Sequence, residues 1–375
     1  MQQEVLAECA RRVRAAAAAG GRLRVSGGGT KAFLAGASDA ETLDLRAHAG
    51  VVDYAPSELF ATVRAGTPLA ELEALLANHG QCLPFDPPHF EAPHPAAAAG
   101  FAGGTVGGMV AAGVAGPGRA AVGGVRDFVL GALVLDGRGE LLRFGGEVMK
   151  NVAGYDVSRL FAGSWGALGA ICEVSLKVLP QAPASVTLRF EMAQAEALAR
   201  VNAWAAQPLP LNASVWWRGT LAVRLRGAIA AVEAATRALG GELIPEAFAQ
   251  AFWEGLRDQR DEFFLEAARA VANDGRALWR LTLPATAAAI AHGDDTLVEW
   301  HGAQRWVLAA REDTTLAEQA ALAGGSAQRV RGGPAGEGLC TPLPPAAPLQ
   351  AIRQRLRESF DPRGVFVPGR PALVS

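Results

Sequence analysis

A chain of 375 residues is longer than one hydrophobic core ordinarily organises, so two to three domains are expected, none needing a disulfide or metal staple. Half of the residues are apolar, 19% are charged and the formal net charge is −2, an ordinary globular composition with no excess of positive charge for nucleic acid. Cys9, Cys82, Cys172 and Cys340 lie far apart with no C-x-x-C pair, so neither an iron–sulfur cluster nor a compact zinc site can be written from them and no metal centre is expected.

The N-terminus runs through Arg11, Arg12 and Arg14 without the apolar core of a signal peptide, which makes the cytoplasm the expected location. An alanine-rich helix at 3–19 leads into a strand, Leu23-Arg24-Val25, that stops at the small residues Ser26 to Thr30. Strands at 42–46, 50–54 and 59–65 follow, and Thr67-Pro68 is expected to open a helix as N-cap and first turn, closing near Gly80. Residues 81–126 are loop-rich, with a short helix after Gly104-Thr105, and so irregular a stretch suggests a ligand-facing surface. Within it Pro95 to Gly118 carries no charge across 24 residues, but eight of them are glycine, which supplies little transfer free energy, and the stretch reads as loop rather than membrane span.

Next comes a hairpin, Phe128 to Leu135 and Glu140 to Phe144, turned at Asp136-Gly137. A second glycine-rich tract, Gly145 to Gly169, precedes a strand at 170–179. Thereafter the order changes. Strand 186–190, helix 194–205, strands 213–217 and 221–226, helix 228–239 and strand 242–244 spell βαββαβ. Strand 278–283, helix 285–291, strands 296–300 and 304–309, helix 314–323 and strand 326–330 spell it again roughly 90 residues on, an internal duplication of element order. A helical insert at 246–269 separates the copies. Gly332 to Pro348 reads as a linker, followed by an amphipathic helix, Leu349 to Phe360, and a turn-rich tail.

Three constellations carry chemistry. Ser26-Gly27-Gly28-Gly29-Thr30-Lys31 directly follows a strand, so its backbone N–H groups can turn toward an anionic pyrophosphate, with a hydroxyl and a cation beside them; a flexible turn is the plainer alternative. Gly103-Gly104-Thr105-Val106-Gly107-Gly108 and Gly123-Gly124-Val125-Arg126-Asp127 allow backbone to approach a flat ligand, or else tight helix packing. The third runs from Lys150-Asn151 to Tyr155-Asp156 and on to Gly163-Ser164-Trp165-Gly166-Ala167-Leu168-Gly169-Ala170-Ile171, where Asp156 could cap a helix and Trp165 could be core. No G-x-G-x-x-G occurs and no lysine follows a glycine, so the Rossmann fingerprint and the P-loop are both excluded.

In this order and spacing the segments resemble the FAD-binding domain of the vanillyl-alcohol oxidase/PCMH flavoprotein family. Lys31-Ala32-Phe33-Leu34, Phe144 to Asp156 and Phe360-Asp361-Pro362 with Pro368-Gly369-Arg370 look like the FAD-binding subunits of bacterial glycolate oxidase, a likeness that covers essentially the whole chain. The resemblance implies an α+β protein: a PCMH-type FAD-binding domain of two subdomains over 1–180, a cap of duplicated ferredoxin-like βαββαβ units over 181–340, and a segment, 341–375, returning to the FAD domain. It implies FAD contacts at Gly27, Gly28, Gly29, Thr30, Lys31, Gly104, Thr105, Gly107, Gly108, Asp127, Lys150, Asn151, Ile171 and Arg370. Because no His or Cys lies between Ser26 and Lys31, the flavin is expected to be held non-covalently.

As partners the resemblance implies a paralogous FAD-containing catalytic subunit and an iron–sulfur subunit, the complex oxidising the 2-hydroxy acid glycolate to glyoxylate and reaching a membrane only peripherally through those partners. Two departures stand out. Val367 occupies the position before Pro-Gly where the family usually has Asn, and it cannot supply that amide. The histidine-rich motif of the substrate-oxidising relatives has only the echo His292-Gly293-Asp294-Asp295, which reads more readily as a solvated turn. His301 reads as a hairpin residue and His89 and His94 as polar contacts on the flavin side, so no catalytic base is identified. The alternatives are a self-sufficient FAD-dependent 2-hydroxy-acid dehydrogenase and a scaffold without flavin.

Overall fold

The computed structural model describes residues 2–90, 101, 103–146, 155–290, 296–333 and 347–369. The chain divides into two compact units, one formed by Met1–Val114, Gly124–Gln181 and Pro345–Ser375, the other by Ala115–Gly123 and Ala182–Pro344. Residues 115–123, counted with the first domain on sequence grounds, thus group with the second unit.

Strands of the first unit are β1 (Leu23–Ser26), β2 (Glu41–Asp44), β3 (Val51–Ala55), β4 (Phe60–Arg64), β5 (Gln81–Cys82), β6 (Val129–Leu135), β7 (Leu141–Gly145), β8 (Ala170–Lys177) and β9 (Leu179–Pro180). Five of them form a sheet in the order β3-β4-β8-β6-β7, while β1 pairs in parallel with β2, and β5 pairs with β9. The central β8 is enclosed along most of its length because both neighbours and the helix Val106–Ala112 pack on it; β7, at the edge, alternates half-buried with exposed residues. The hairpin β6–β7 turns where Asp136 accepts the N–H groups of Arg138 and Glu140, both at 2.9 Å.

Thr67 does not cap the helix that follows. That helix spans Leu69–Ala77 with Pro68 at its N-cap, because the Thr67 hydroxyl is engaged by the Gly50 N–H at 2.8 Å and donates to the Arg64 carbonyl at 2.8 Å. At the far end of the chain the helix Ala347–Phe360 is followed by Asp361, whose buried carboxylate accepts the N–H groups of Val365 and Phe366, both at 2.8 Å. This turn lays the tail beside β1, where Leu23 donates to the Val365 carbonyl at 2.8 Å and accepts from Val367 at 2.9 Å.

The second unit contains β10 (Ala184–Glu191), β11 (Leu211–Trp217), β12 (Thr220–Gly227), β13 (Glu242–Ile244), β14 (Arg276–Thr282), β15 (Thr296–Glu299), β16 (Gln304–Ala310) and β17 (Ser326–Arg331). They form one eight-stranded sheet in the order β13-β10-β12-β11-β15-β16-β14-β17. Each half is a ferredoxin-like 4-1-3-2 arrangement, and the halves meet edge to edge where β11 pairs antiparallel with β15 at Val215–Glu299 and Trp216–Val298. The joint removes one free edge from each copy.

One expected element is missing from the second copy. Residues 285–290 form a turn followed by irregular chain instead of the helix expected at 285–291, whose last residue lies outside the described set. The fully buried Arg305 donates to the carbonyls of Gly302 at 3.2 Å, Ala287 at 2.6 Å and Ala288, taking acceptors that a helix would need for itself. Asn202, from the first copy's helix Gln194–Ala205, donates to the Ala285 carbonyl at 3.1 Å and ties the copies together.

One face of the sheet packs on the helices of the ferredoxin units, burying Leu188, Trp216 and Val223 in the first copy and Trp279, Leu281 and Leu316 in the second. The opposite face meets the insert, which is two helices, Glu246–Arg257 and Glu262–Asn273. There Trp253 donates to Thr187 at 2.9 Å and Trp306 packs edge-on against Phe264. Trp216, Trp253 and Trp306 are therefore core, whereas Trp217 and Trp300 are only partly buried.

Candidate functional site

A concavity of the first unit lies where β1 ends. Arg24 and Val25 lead into Ser26 to Ala32 along one wall, Gly104, Thr105, Gly107 and Gly108 form a second, and Trp165, Gly166, Gly169, Ile171 and Gly369 complete it. Ten of the residues expected to contact FAD are thereby brought together: Gly27, Gly28, Gly29, Thr30, Lys31, Gly104, Thr105, Gly107, Gly108 and Ile171.

Steric constraint explains the glycines. A Cβ on Gly27 would lie 2.4 Å from the Thr105 hydroxyl oxygen, one on Gly104 2.8 Å from that of Thr30, and one on Gly107 2.5 Å from the Ala65 Cβ. The two loops interlock at a distance that only hydrogen side chains permit. Gly29 differs: its φ is +72° and a Cβ there would meet nothing within 4 Å, so its demand is conformational and its open side faces the cavity. Among the described residues the N–H groups of Gly28, Gly29 and Thr30 donate to no protein acceptor, whereas that of Ala32, two residues further on, donates to the Gly29 carbonyl at 3.0 Å. Successive unused donors lining a concavity are an arrangement that can accept an anion.

The second loop is fixed from below. Gly107 donates to the Ala65 carbonyl at 2.9 Å and Val106 to that of Thr67 at 2.9 Å, which anchors the loop to the end of β4. Thr105 caps the helix Val106–Ala112 by accepting the Gly108 N–H at 3.1 Å. Thr30 and Lys31 are both buried; the Lys31 ammonium stands 3.5 Å from the Thr30 hydroxyl and 5.8 Å from the Phe90 ring centroid. A buried cation beside unused N–H donors gives this wall a positive character suited to a pyrophosphate.

Trp165, which could have been core, lines the cavity. Its φ is +52°, a left-handed conformation rare for a bulky residue, and it is held there by donating its N–H to the Ala111 carbonyl at 2.9 Å and accepting from Gly369 at 2.8 Å. Arg24, Leu45, Ala65, Ala111, Ala112, Gly166, Gly169 and Gly369, none of them among the expected FAD contacts, also line the cavity. Gly166, Gly169 and Gly369 belong to motifs already visible in the sequence; Leu45 and Ala65 carry no chemical signal. The neighbouring Cys172 is fully buried, and desolvation pushes its thiol up, so it stays protonated.

Asp127 does not line the cavity. Its carboxylate accepts the Gly124 N–H at 2.8 Å and closes the short helix Val125–Phe128, a capping role that uses the group locally. Lys150, Asn151 and Arg370 lie outside the described residues, as do His94, His292, Asp294 and Asp295. Asp156 accepts the Ser158 hydroxyl at 2.8 Å and pairs with Arg159 at 2.9 Å, bracing the turn that follows it. His89 pairs with Glu73 at 2.8 Å. His301, in the second unit, is buried, shares a hydrogen bond with the Ser214 hydroxyl at 2.9 Å, and is pulled down to about 4 by desolvation. Among the described residues that line the cavity there is no carboxylate and no imidazole.

A family model described as an FAD binding domain matches residues 4–145. The chain is 44% identical over 350 residues to the glycolate oxidase subunit GlcE of Escherichia coli (strain K12), covering 93% of this chain and 92% of that protein. It is 30% identical over 138 residues to the glycolate oxidase subunit GlcD of Bacillus subtilis (strain 168), covering 37% of this chain and 27% of the relative. Among solved structures, alkyldihydroxyacetonephosphate synthase superposes with a TM-score of 0.61 at 16% identity, over 98% of this chain and 75% of that one, a likeness of fold. No helix among the described residues is long and apolar enough to cross a membrane.

Proposed function

Because this chain belongs to the family of the glycolate oxidase subunit GlcE, a family of FAD-binding oxidoreductase subunits, we propose that it serves as the non-covalent FAD-holding subunit of a heteromeric complex that oxidises glycolate to glyoxylate. The observation that carries the reading is the interlocked pair of glycine loops, whose unused N–H groups at Gly28, Gly29 and Thr30 face the cavity beside buried Lys31. Those groups would hold the pyrophosphate, while Thr105, Gly107, Gly108 and the backbone around Ile171 would flank the remainder of the cofactor. Lys150, Asn151 and Arg370 remain part of the proposed contact set by resemblance. When bound, FAD supplies two-electron oxidation of an alcohol and onward transfer of electrons.

This chain's own residues bind and orient: the cradle fixes the phosphates and the Trp165–Gly369 contact closes one wall. Proton abstraction needs a base within hydrogen-bond reach of the substrate hydroxyl, and the described lining offers none. The chemistry of substrate oxidation is therefore assigned to the complex, with a paralogous flavoprotein subunit and an iron–sulfur subunit as partners. Two measurements on the purified chain test this. Denaturation should release stoichiometric FAD, and the isolated holoprotein should keep its flavin absorbance when glycolate is added, bleaching only with its partners present. Rapid bleaching by glycolate alone would instead establish a self-sufficient dehydrogenase, and a colourless chain that takes up no FAD would establish a scaffold.

A further inference from the structure

Arg24 lies on β1 just ahead of the first glycine loop and lines the same cavity. In the neighbouring strand β2 it stands beside Thr42, and that strand carries two acidic residues, Glu41 and Asp44. Both are engaged elsewhere: Arg12 pairs with Glu41, and Arg46 takes Asp44 through Nε at 2.9 Å and Nη2 at 2.6 Å. Among the described residues no carboxylate pairs with Arg24. Its side chain makes one hydrogen bond among them, from Nη2 to the Gly36 carbonyl, while Nε is closed off from solvent and makes none. Gly36 in turn donates to Gly369 at 3.2 Å and Gly369 to Trp165 at 2.8 Å, so the guanidinium is tethered to the wall that Trp165 closes.

Among the described residues that line the cavity, Arg24 and Lys31 are the charged ones, and both are positive. Gathering two cations and a run of unused N–H donors around one concavity is costly in the empty protein, and an anion bound there offsets that cost. Each phosphate of a dinucleotide pyrophosphate carries one negative charge, so a pair of cations matches it in number as well as in sign. A guanidinium anchored through one nitrogen holds its remaining N–H groups in a fixed plane, the geometry that forks onto phosphate oxygens. We propose that Arg24, positioned by the Gly36 carbonyl, is the second cation of the cofactor site and shares the FAD pyrophosphate with Lys31 and the N–H groups of Gly28, Gly29 and Thr30. The inference rests on the FAD reading above and adds to it a residue that neither the glycine motifs nor the family resemblance selects.

The test is the equilibrium release of FAD from the full holoprotein on dilution, followed by flavin fluorescence at a series of potassium chloride concentrations. Arg24→Gln, which keeps an N–H donor for Gly36 and loses the charge, should weaken FAD binding roughly tenfold or more, as expected for the loss of a charge-assisted pair. It should also flatten the dependence of affinity on salt, because one attraction that salt screens is gone. Arg24→Lys, which keeps the charge and loses the fork, should bind FAD with intermediate affinity and restore the wild-type salt dependence. A residue that only braced the wall through Gly36 would lower the affinity and leave the salt dependence where it was. Circular dichroism reports whether the variants fold; should Arg24→Gln not fold, Arg24→Met, which keeps the stem without the charge, carries the same comparison. FAD affinity of the neutral variant equal to wild type, or a loss of affinity with the salt dependence intact, would each overturn the proposal. A wild-type chain that holds no FAD fails the reading on which the inference rests, whereas wild-type binding that is indifferent to Arg24 fails this inference alone.

Discussion

Gly27 and Thr105 approach so closely that a Cβ on Gly27 would stand 2.4 Å from the Thr105 hydroxyl oxygen. The threonine cannot simply turn aside, because the same oxygen accepts the Gly108 N–H that starts the helix Val106–Ala112. Gly27→Ala should therefore force the two loops apart and uncap that helix, costing about 1–3 kcal/mol of stability. FAD retained through gel filtration, read from the flavin absorbance per chain, should fall sharply. Retention equal to wild type would show that the loops tolerate separation and that the cradle does not depend on their contact.

How legible this site was depends on what each residue contributes. Gly27 to Thr30 and Gly104 to Gly108 could be selected because they contribute backbone, and backbone contact at close range demands glycine. Leu45, Ala65 and Ala111 contribute only surface, which no residue type announces. Asp127 shows how ambiguous an acid after two glycines is: it can as well cap a turn as meet a ligand, and here the Gly124 N–H donates to it. In the fold, the βαββαβ order was plain from alternation and turn residues. The failure at 285–291 has a tertiary cause: an alanine-rich segment favours helix locally, yet Arg305, well downstream, captures the carbonyls of Ala287 and Ala288. Thr67 likewise looks like a cap until Gly50 claims its hydroxyl.

Asp361 controls the last stretch of the cavity wall from a distance. Its carboxylate holds the amides of Val365 and Phe366, and the chain then runs past Leu23 to Gly369, which donates to Trp165. Asp361→Ala leaves two buried N–H groups without acceptors and should cost about 2–4 kcal/mol. The tail should become susceptible to limited proteolysis before the rest of the chain, and FAD should dissociate faster. Unchanged cleavage kinetics would mean that the pairing with β1 alone secures the tail.

Arg305 has no exposed surface and three carbonyl acceptors. Methionine has a comparable stem but satisfies none of them, so Arg305→Met should destabilise the second unit by about 2–4 kcal/mol. Lysine should recover part of this, since one ammonium can serve some of the acceptors but lacks the planar fork. Thermal unfolding followed by tryptophan fluorescence suits the measurement, because Trp216, Trp253, Trp279 and Trp306 are all buried in this unit. A melting temperature for the methionine variant that matches wild type would remove the explanation given for the missing helix.

Glu299 should make the second unit less stable as pH rises. Desolvation pushes its carboxyl up to about 7, while Trp306 at 2.7 Å and Gln304 at 2.9 Å donate to one of its oxygens and oppose the shift. Asp261, raised to about 6 chiefly by burial, adds its charge in the same direction. A carboxyl that holds its proton more tightly when folded stabilises the fold fully below its unfolded pKa, and that contribution is lost as pH climbs through the folded one. The loss should therefore run from about pH 4.5 to about pH 7 and level off above. Glu299→Gln removes the ionisation yet keeps one oxygen able to accept from both Trp306 and Gln304. Near pH 8 the variant should be the more stable by on the order of 1–3 kcal/mol, with the difference shrinking toward pH 5. His301 bends the same curve from the other side, because desolvation lowers it to about 4 and stability falls as pH drops from about 6.5 toward that value. Differential scanning calorimetry of both proteins across this range separates the two groups. Melting temperatures that run parallel at every pH would show that Glu299 is ionised in the fold throughout.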